Sequence, residues 1–146
     1  MPEIKPTAGV AQAIAASALR AQQARMRIIA ENLANAGSTR AGGGEAYRAQ
    51  RLVSGPRFAD HLSASAARRP SGVAVYGVET AGLPARRVHE PAHPHADAQG
   101  WVTYPGLDHA GEMTLMVTTA RAYEANIVAM NTARQMYAKA LELGRR

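Results

Sequence analysis

The sequence predicts a mainly α protein in which long N- and C-terminal helices pack as an antiparallel coiled-coil pair, with a small β-rich insert between them. Apolar residues recur every three or four positions over the last third of the chain, and a weaker stripe of the same period lies near the start. Glycine and proline divide the middle into short segments. We therefore expect a disordered leader at 1–7, helices at 8–36 and 108–144 that form one helical core domain, and a loop and small β-rich insert at 37–107.

The N-terminal segment predicts a leader followed by the first helix. Pro2 and Pro6 disfavour a helix before residue 8. The stripe that follows begins at Ala15 and contains four residues that we expect to pack, namely Leu19, Met26, Ile29 and Leu33. Asn32, Asn35 and Gly37 indicate the end of the helix. Two interpretations of the amides of Asn32, Asn35, Asn126 and Asn131 stay open, since they are either helix-end or surface groups or they hydrogen-bond between chains.

The middle of the chain predicts short strands joined by turns. Gly42, Gly43 and Gly44 indicate a flexible connection from Ser38 to Glu45. We expect a loop from Arg57 to Gly72, which is rich in alanine, serine and arginine. The strand candidates are Tyr47–Val53, Val73–Val78, Ala85–Glu90 and Trp101–Tyr104. Three or four short strands form a small sheet that is stable only when it packs against another element.

The C-terminal segment predicts the longest helix. Asp108 is a suitable N-cap, and Gly144 is expected to end the helix in a left-handed turn. Its packing stripe contains one charged residue and is formed by Met113, Met116, Ala120, Tyr123, Ile127, Met130, Arg134, Tyr137 and Leu141. At the α-helical rise the segment is roughly 50 Å long. A stripe of that length needs a long partner helix from the same chain or from neighbouring chains.

Composition excludes several protein classes. The 146 residues include no cysteine, which excludes disulfides and thiolate metal sites. Aromatic residues make up 5% of the chain and alanine supplies much of the apolar fraction, so a thick globular core is not expected. No apolar run approaches the ~20 residues that cross a bilayer. We also expect no cleaved signal peptide, because a single lysine precedes a weakly apolar stretch that Gln12 interrupts.

The residues also allow three alternative interpretations. The formal charge of +6 favours a basic helical nucleic-acid-binding protein, but the arginines are dispersed and form no recognition helix. His89, His93, His95 and Asp97 have the spacing of a metal-binding loop, although two prolines stiffen it. A plain two-helix core without an assembly function explains the periodicity equally well. No nucleophile and base lie within sequence reach, so we predict no catalytic residue, cofactor or resident metal.

Three ordered blocks of residues resemble one family. The first block is Glu31-Asn32-Leu33-Ala34-Asn35-Ala36 with Ser38-Thr39 and Tyr47-Arg48. The second is Val88-His89-Glu90-Pro91, His93-Pro94, Ala96-Asp97, Gly100-Trp101-Val102, Pro105-Gly106 and Asp108. The third is Gly111-Glu112-Met113, Arg121 to Asn126 and Met130-Asn131-Thr132. The first resembles the N-terminal signature of flagellar axial proteins, and together they are similar to proximal-rod members of the flagellar basal-body rod protein family. The sequence departs from that pattern at 57–72 and at His89, where an aromatic residue is usual.

The resemblance implies a structural role. Such proteins polymerise through their terminal helices into the periplasmic rod of the flagellar basal body, which transmits torque from motor to hook. The implied partners are copies of the chain, the rod proteins FlgB, FlgF, FlgG and FliE, and the type III export apparatus, which leaves the N-terminus uncleaved. The resemblance implies no nucleic acid, no small-molecule substrate and no membrane insertion. The lack of cysteine agrees with an oxidising compartment.

Overall fold

The mainly α architecture predicted from the sequence is present in the computed structural model, which describes residues 7–39, 46–57 and 72–144. The elements in chain order are α1 (Thr7–Asn35), β1 (Gln50–Pro56), β2 (Val73–Thr80), β3 (Arg86–His89), β4 (Trp101–Tyr104) and α2 (His109–Leu143). The predicted leader at 1–7, except Thr7, lies outside the described residues. So do most of the predicted Arg57–Gly72 loop and most of the predicted Ser38–Glu45 connection.

The chain forms two compact units. The first unit contains Met1–Ala24, Ser54–Tyr76 and Thr119–Arg146, and the second contains Arg25–Val53 and Gly77–Thr118. Both helices and the β1–β2 pair contribute residues to both units. In the first unit the buried residues are small, namely Ala15, Ala21 and Thr119. Among the described residues of the second unit they are Ile28, Ile29, Asn32, Ala49, Val102, Pro105 and Glu112.

The start of α2 has the predicted cap, and its end differs from the prediction. Asp108 accepts a hydrogen bond at Oδ1 from the backbone N–H of Ala110 over 3.1 Å, so a carboxylate lies at the positive end of the helix dipole. At the other end, Gly144 has no positive φ. Its N–H still donates to the carbonyl oxygen of Ala140 over 3.1 Å, which is a helical hydrogen bond. The expected left-handed turn at Gly144 is therefore wrong.

In the described residues of the β-rich insert there are two separate two-stranded sheets, β1–β2 and β3–β4, and not one small sheet. Gly82 has a φ of +63°, and Pro84 lacks a backbone donor, so the chain turns out of the first sheet before β3 begins. The predicted strand from Tyr47 to Val53 starts three residues late, at Gln50. The reason is that Tyr47 faces α1, where its hydroxyl donates to Asn32 over 2.9 Å.

The β3–β4 hairpin supplies the most buried apolar side chain of the second unit. Val88 pairs with Val102 in an antiparallel register, and Val102 is fully buried. On the opposite face His89 pairs with Trp101, and their rings meet edge to face at 5.1 Å. His89 therefore makes a ring contact at the position where the family usually has an aromatic residue.

Gly72 connects β2 to α1 within the first unit. Its φ is +83°, a conformation that favours glycine. The next residue, Val73, donates its backbone N–H to the hydroxyl of Ser17 over 3.0 Å, and that hydroxyl donates to the Ile14 carbonyl over 2.7 Å. A Cβ on Gly72 would overlap the Ser17 hydroxyl oxygen.

We expect Gly72→Ala to lower the free energy of unfolding by about 2 kcal/mol, because the substitution adds backbone strain and separates Val73 from Ser17. Gly82→Ala is the matched control. Gly82 also has a positive φ, but no atom lies within 4 Å of the Cβ that alanine would add. The control is expected to lose about 1 kcal/mol. Urea denaturation followed by circular dichroism measures both values, and equal losses would contradict the role of Ser17.

Candidate assembly interface

The predicted stripe of α2 divides into half-buried and exposed residues. In the second unit Met116 is half-buried and Met113 is exposed. In the first unit the half-buried members are Ala120, Tyr123, Ile127 and Met130, and the exposed members are Arg134, Tyr137 and Leu141. The shielded part of the predicted stripe therefore ends near Met130.

The two most buried residues of α2 are polar, and the apolar pattern of the sequence identified neither as a packing position. Glu112 is 2% exposed and Thr119, seven residues later, is 4% exposed. Together with residues 116, 123, 126, 130 and 133 they form a stripe with alternating steps of four and three, which is typical of a coiled-coil seam. Apolar patterning started the stripe at Met113 because Glu112 is charged. The sequence signal that could have identified Glu112 is its spacing, because it lies four residues before Met116 and so on the same face of the helix.

The predicted stripe of α1 is shielded along its length. Ile29 and Ala15 are buried, and Leu19, Met26 and Leu33 are half-buried. Ala21 and Ile28 are also buried, although the predicted stripe did not include them. The additional positions widen the packing surface of α1 beyond a narrow seam.

Asn32 is the centre of a buried polar network in the second unit. It is fully buried, and its amide makes four hydrogen bonds. Oδ1 accepts from the Tyr47 hydroxyl and from the backbone N–H of Gln50, both at 2.9 Å. Nδ2 donates to the Gln50 carbonyl over 2.9 Å and to Glu112 Oε2 over 3.1 Å. The hydrogen-bonding capacity of the amide is therefore saturated within the chain.

The carboxylate of Glu112 completes this network. Its Oε1 accepts a charge-assisted hydrogen bond from the guanidinium of Arg51, which is partly exposed. Burial, followed by the negative charges of Glu31 and Glu112, raises the pKa of Tyr47. The phenol therefore remains a donor toward Asn32 at neutral pH. The network joins α1, the start of β1 and the first turn of α2.

The side-chain amides of Asn35 and Asn126 donate to backbone carbonyl groups of their own helices. Asn35 donates to the Glu31 carbonyl over 2.8 Å, and Asn126 donates to the Ala122 carbonyl over 2.9 Å. Neither contact links separate elements. Of these three asparagines, only Asn32 joins one element to another.

The last turns of α2 expose large apolar side chains. We define the C-terminal apolar surface as Met136, Tyr137, Leu141 and Leu143, all of which are exposed. Leu143 is 75% exposed and Met136 is 68% exposed. Met113, Leu115, Val117 and Val128 are exposed earlier on α2, so apolar side chains are exposed along the helix as well as at its end. Contiguous exposed apolar residues are typical of a protein–protein contact surface.

The histidine loop between β3 and β4 is organised by Asp97. Its Oδ1 accepts from the backbone N–H groups of Gln99 and Trp101 at 2.9 and 2.8 Å, and its Oδ2 accepts from Arg87 at 2.6 Å. His93 accepts at Nδ1 from the backbone N–H of His95 over 3.1 Å, which occupies that nitrogen. Among the described residues, no group of three or more metal-ligating side chains converges. The carboxylate thus holds the loop backbone.

Hydrogen bonds from the backbone of Trp101 and then Gln99, together with Arg87, lower the pKa of Asp97 below its ordinary value of 3.8. The folded loop therefore binds this proton more weakly than the unfolded chain does. The stability that the ionised Asp97 carboxylate contributes is present at neutral pH and is lost as the pH falls from 3.8 through the lowered pKa. The emission of Trp101, the single tryptophan, should change in that range. In Asp97→Asn this transition should be absent.

Arg87→Gln is the matched control for the Asp97 measurement. It removes the guanidinium and keeps both backbone donors, so its transition should remain and move to higher pH. An unchanged acid transition in Asp97→Asn would assign the titration to another carboxyl group.

A groove of about 570 Å³ in the second unit lacks the groups of a catalytic pocket. Its polar side chains include Tyr47, Arg48, Thr80 and Thr103, and the described residues that line it include no carboxylate or imidazole to act as a general base. Within the described part of the chain, no helix is both long and apolar enough to span a membrane.

Family models of known proteins match a segment near each end of the chain. Residues 13–41 match the family model for flagella basal body rod proteins, and residues 98–143 match the model for the C-terminal region of flagellar basal body rod FlgEFG proteins. The two matched segments contain Asn32 and Glu112, respectively, so the hydrogen bond between these residues links them.

Relatives match nearly the whole chain. It is 40% identical to the flagellar basal-body rod protein FlgC of Salmonella typhimurium, over 90% of this chain and 93% of that protein. It is 36% identical to FlgC of Bacillus subtilis, over 90% and 95%. It is 31% identical to FlgC of Borreliella burgdorferi, over 89% and 93%.

Proposed function

Because the chain belongs to the FlgC family of flagellar basal-body rod proteins, it is a structural subunit of the bacterial flagellar rod and not an enzyme, and we propose that it polymerises through its two terminal helices. The observation that carries this proposal is the C-terminal apolar surface on α2. Its side chains lie in water in the single chain, and neighbouring subunits in a rod would cover them.

The two helices form an antiparallel pair in this proposal. Two contacts support it, each within its own unit. In the second unit Asn32 of α1 hydrogen-bonds to Glu112 of α2. In the first unit α1 and α2 line one shallow cavity with Gly9, Gln12, Ala13, Ala16, Met130 and Arg134. In the first unit, this cavity agrees with an antiparallel register in which Leu19 faces Ile127.

We assign the subunit to the proximal, periplasmic part of the rod, where it would transmit torque from motor to hook. Its partners would be further copies and the rod proteins FlgB, FlgF, FlgG and FliE. Delivery would use the flagellar export apparatus without cleavage of a signal peptide. The physical basis for polymerisation is the length of α2, 35 residues, whose last turns expose apolar side chains.

Deletion of the gene is expected to leave basal bodies whose rods stop before the distal rod. The physical reason is that a proximal subunit forms the surface on which the distal proteins assemble. Electron microscopy of purified basal bodies measures rod length, and expression of the full chain from a plasmid should restore it. Complete rods and hooks in the deletion strain would contradict the proposed position.

A further inference from the structure

The first half of the α1 packing surface is poorly suited to fixing one register against α2. It buries Ala15 and Ala21, whereas the bulkier buried residues Ile28 and Ile29 lie in the second half, after the flexible Met26. Alanine presents a similar small side chain on each turn, and methionine adapts to several shapes. A shift along the helix axis therefore changes the apolar contacts of this part of α1 little.

An axial shift would disrupt the contacts of the buried polar residues Asn32 and Glu112. Asn32 and Glu112 are among the most buried side chains of the second unit, and Nδ2 of Asn32 donates to Glu112 Oε2 over 3.1 Å. A shift of one turn would separate them, and each polar group would then face an apolar surface without that partner. Unpaired buried polar groups are costly, so alternative registers are disfavoured even where the apolar contacts are equivalent.

We propose that Asn32 and Glu112 are register-determining residues that lock the two helices in a single alignment for rod assembly. Asn32 is held from the other side, because its amide bonds to both backbone groups of Gln50 at the start of β1. Glu112 is held by Arg51, the residue next to Gln50. Two adjacent residues of β1, Gln50 and Arg51, thus orient both members of the helix–helix contact. The inference rests on the antiparallel pair proposed above.

A pair of cysteine reporters tests the lock, and the chain has no native cysteine to interfere. Leu19→Cys with Ile127→Cys reports the proposed register, and Leu19→Cys with Ala120→Cys reports a shift of one heptad. Each pair is placed in three chains: the otherwise native sequence, Glu112→Gln and Glu112→Leu. Glutamine keeps an acceptor of the same shape for Asn32, whereas leucine removes it. Disulfides are formed in purified basal bodies and resolved on non-reducing gels.

In the native background and in Glu112→Gln, the intrachain Leu19–Ile127 crosslink should exceed the shifted crosslink by about tenfold or more. In Glu112→Leu the two yields should become similar. Equal selectivity in Glu112→Leu and Glu112→Gln would overturn the lock and leave the helix pair intact. Absence of the Leu19–Ile127 crosslink from the native background would instead overturn the antiparallel pair, and the lock with it.

Asn32→Leu with Glu112→Leu is the second variant, for use if Glu112→Leu does not enter basal bodies. It removes both sides of the contact, so neither Asn32 nor Glu112 is left facing an apolar surface, although Tyr47 and the Gln50 backbone lose Asn32 as a partner. Loss of selectivity in this variant would support the lock, and retained selectivity would overturn it. Loss of folding in both variants, measured by circular dichroism of the purified chains, would show that the network is required for folding and not for register, which also overturns the proposal.

Discussion

Asn32→Ala is expected to lower the free energy of unfolding by about 3–5 kcal/mol, a larger loss than the one expected for Gly72→Ala. The substitution removes four hydrogen bonds at a fully buried position. It leaves the Tyr47 hydroxyl and both backbone groups of Gln50 without this partner, and it leaves the buried carboxylate of Glu112 with Arg51 alone. Since folded domains are stable by about 5–15 kcal/mol, most of the stability would be lost.

Urea denaturation followed by circular dichroism measures this change. Asn35→Ala is the matched control, because Asn35 lies one turn later on α1 and, among the contacts described, its side chain bonds only to the Glu31 carbonyl of its own helix. It should cost less than about 1 kcal/mol. Similar losses in the two variants would mean that the network around Asn32 contributes little beyond an ordinary surface amide.

Removal of Lys139 to Arg146 is expected to abolish rod assembly while export continues. The deleted segment carries Leu141 and Leu143, half of the C-terminal apolar surface. Without them, neighbouring subunits would have less apolar area to bury against α2, at about 25 cal/mol per Å². The buried network around Asn32 lies far from the deletion in sequence, so the truncated chain should still fold there. Immunoblots of the periplasmic fraction and of purified basal bodies separate export from assembly.

The matched control for the truncation is Lys139→Ala with Glu142→Ala, which removes exposed charges from the same turns and keeps the apolar side chains. It should assemble normally. Rods of normal length from the truncated chain would show that the last turns of α2 are not an assembly surface. Loss of the truncated chain from the periplasm would show instead that this segment contributes to export.

The sequence predicted the helices and strands whose residues follow one local pattern. The three-and-four spacing of apolar residues predicted both helices, and glycine and proline bounded β3 and β4 to within a residue or two. Apolar patterning could not detect Glu112 as a packing residue, since its partners Arg51 and Asn32 are 61 and 80 positions away. The same limit applies to Gln50, whose backbone is held by a side chain of α1. Long-range polar pairing leaves no apolar periodicity, and only the four-residue step from Glu112 to Met116 marks the same face of α2.

Unassembled copies of this chain are protected against strand-to-strand aggregation at the start of β1. The free edge of a strand offers unpaired N–H and C=O groups that another chain can extend into a sheet. At Gln50 both groups already bond to the side chain of Asn32, which takes the place of a neighbouring peptide unit. A second chain that approaches this edge meets a helix and a saturated amide. Both backbone groups of Gln50 are therefore unavailable to a strand of a second chain.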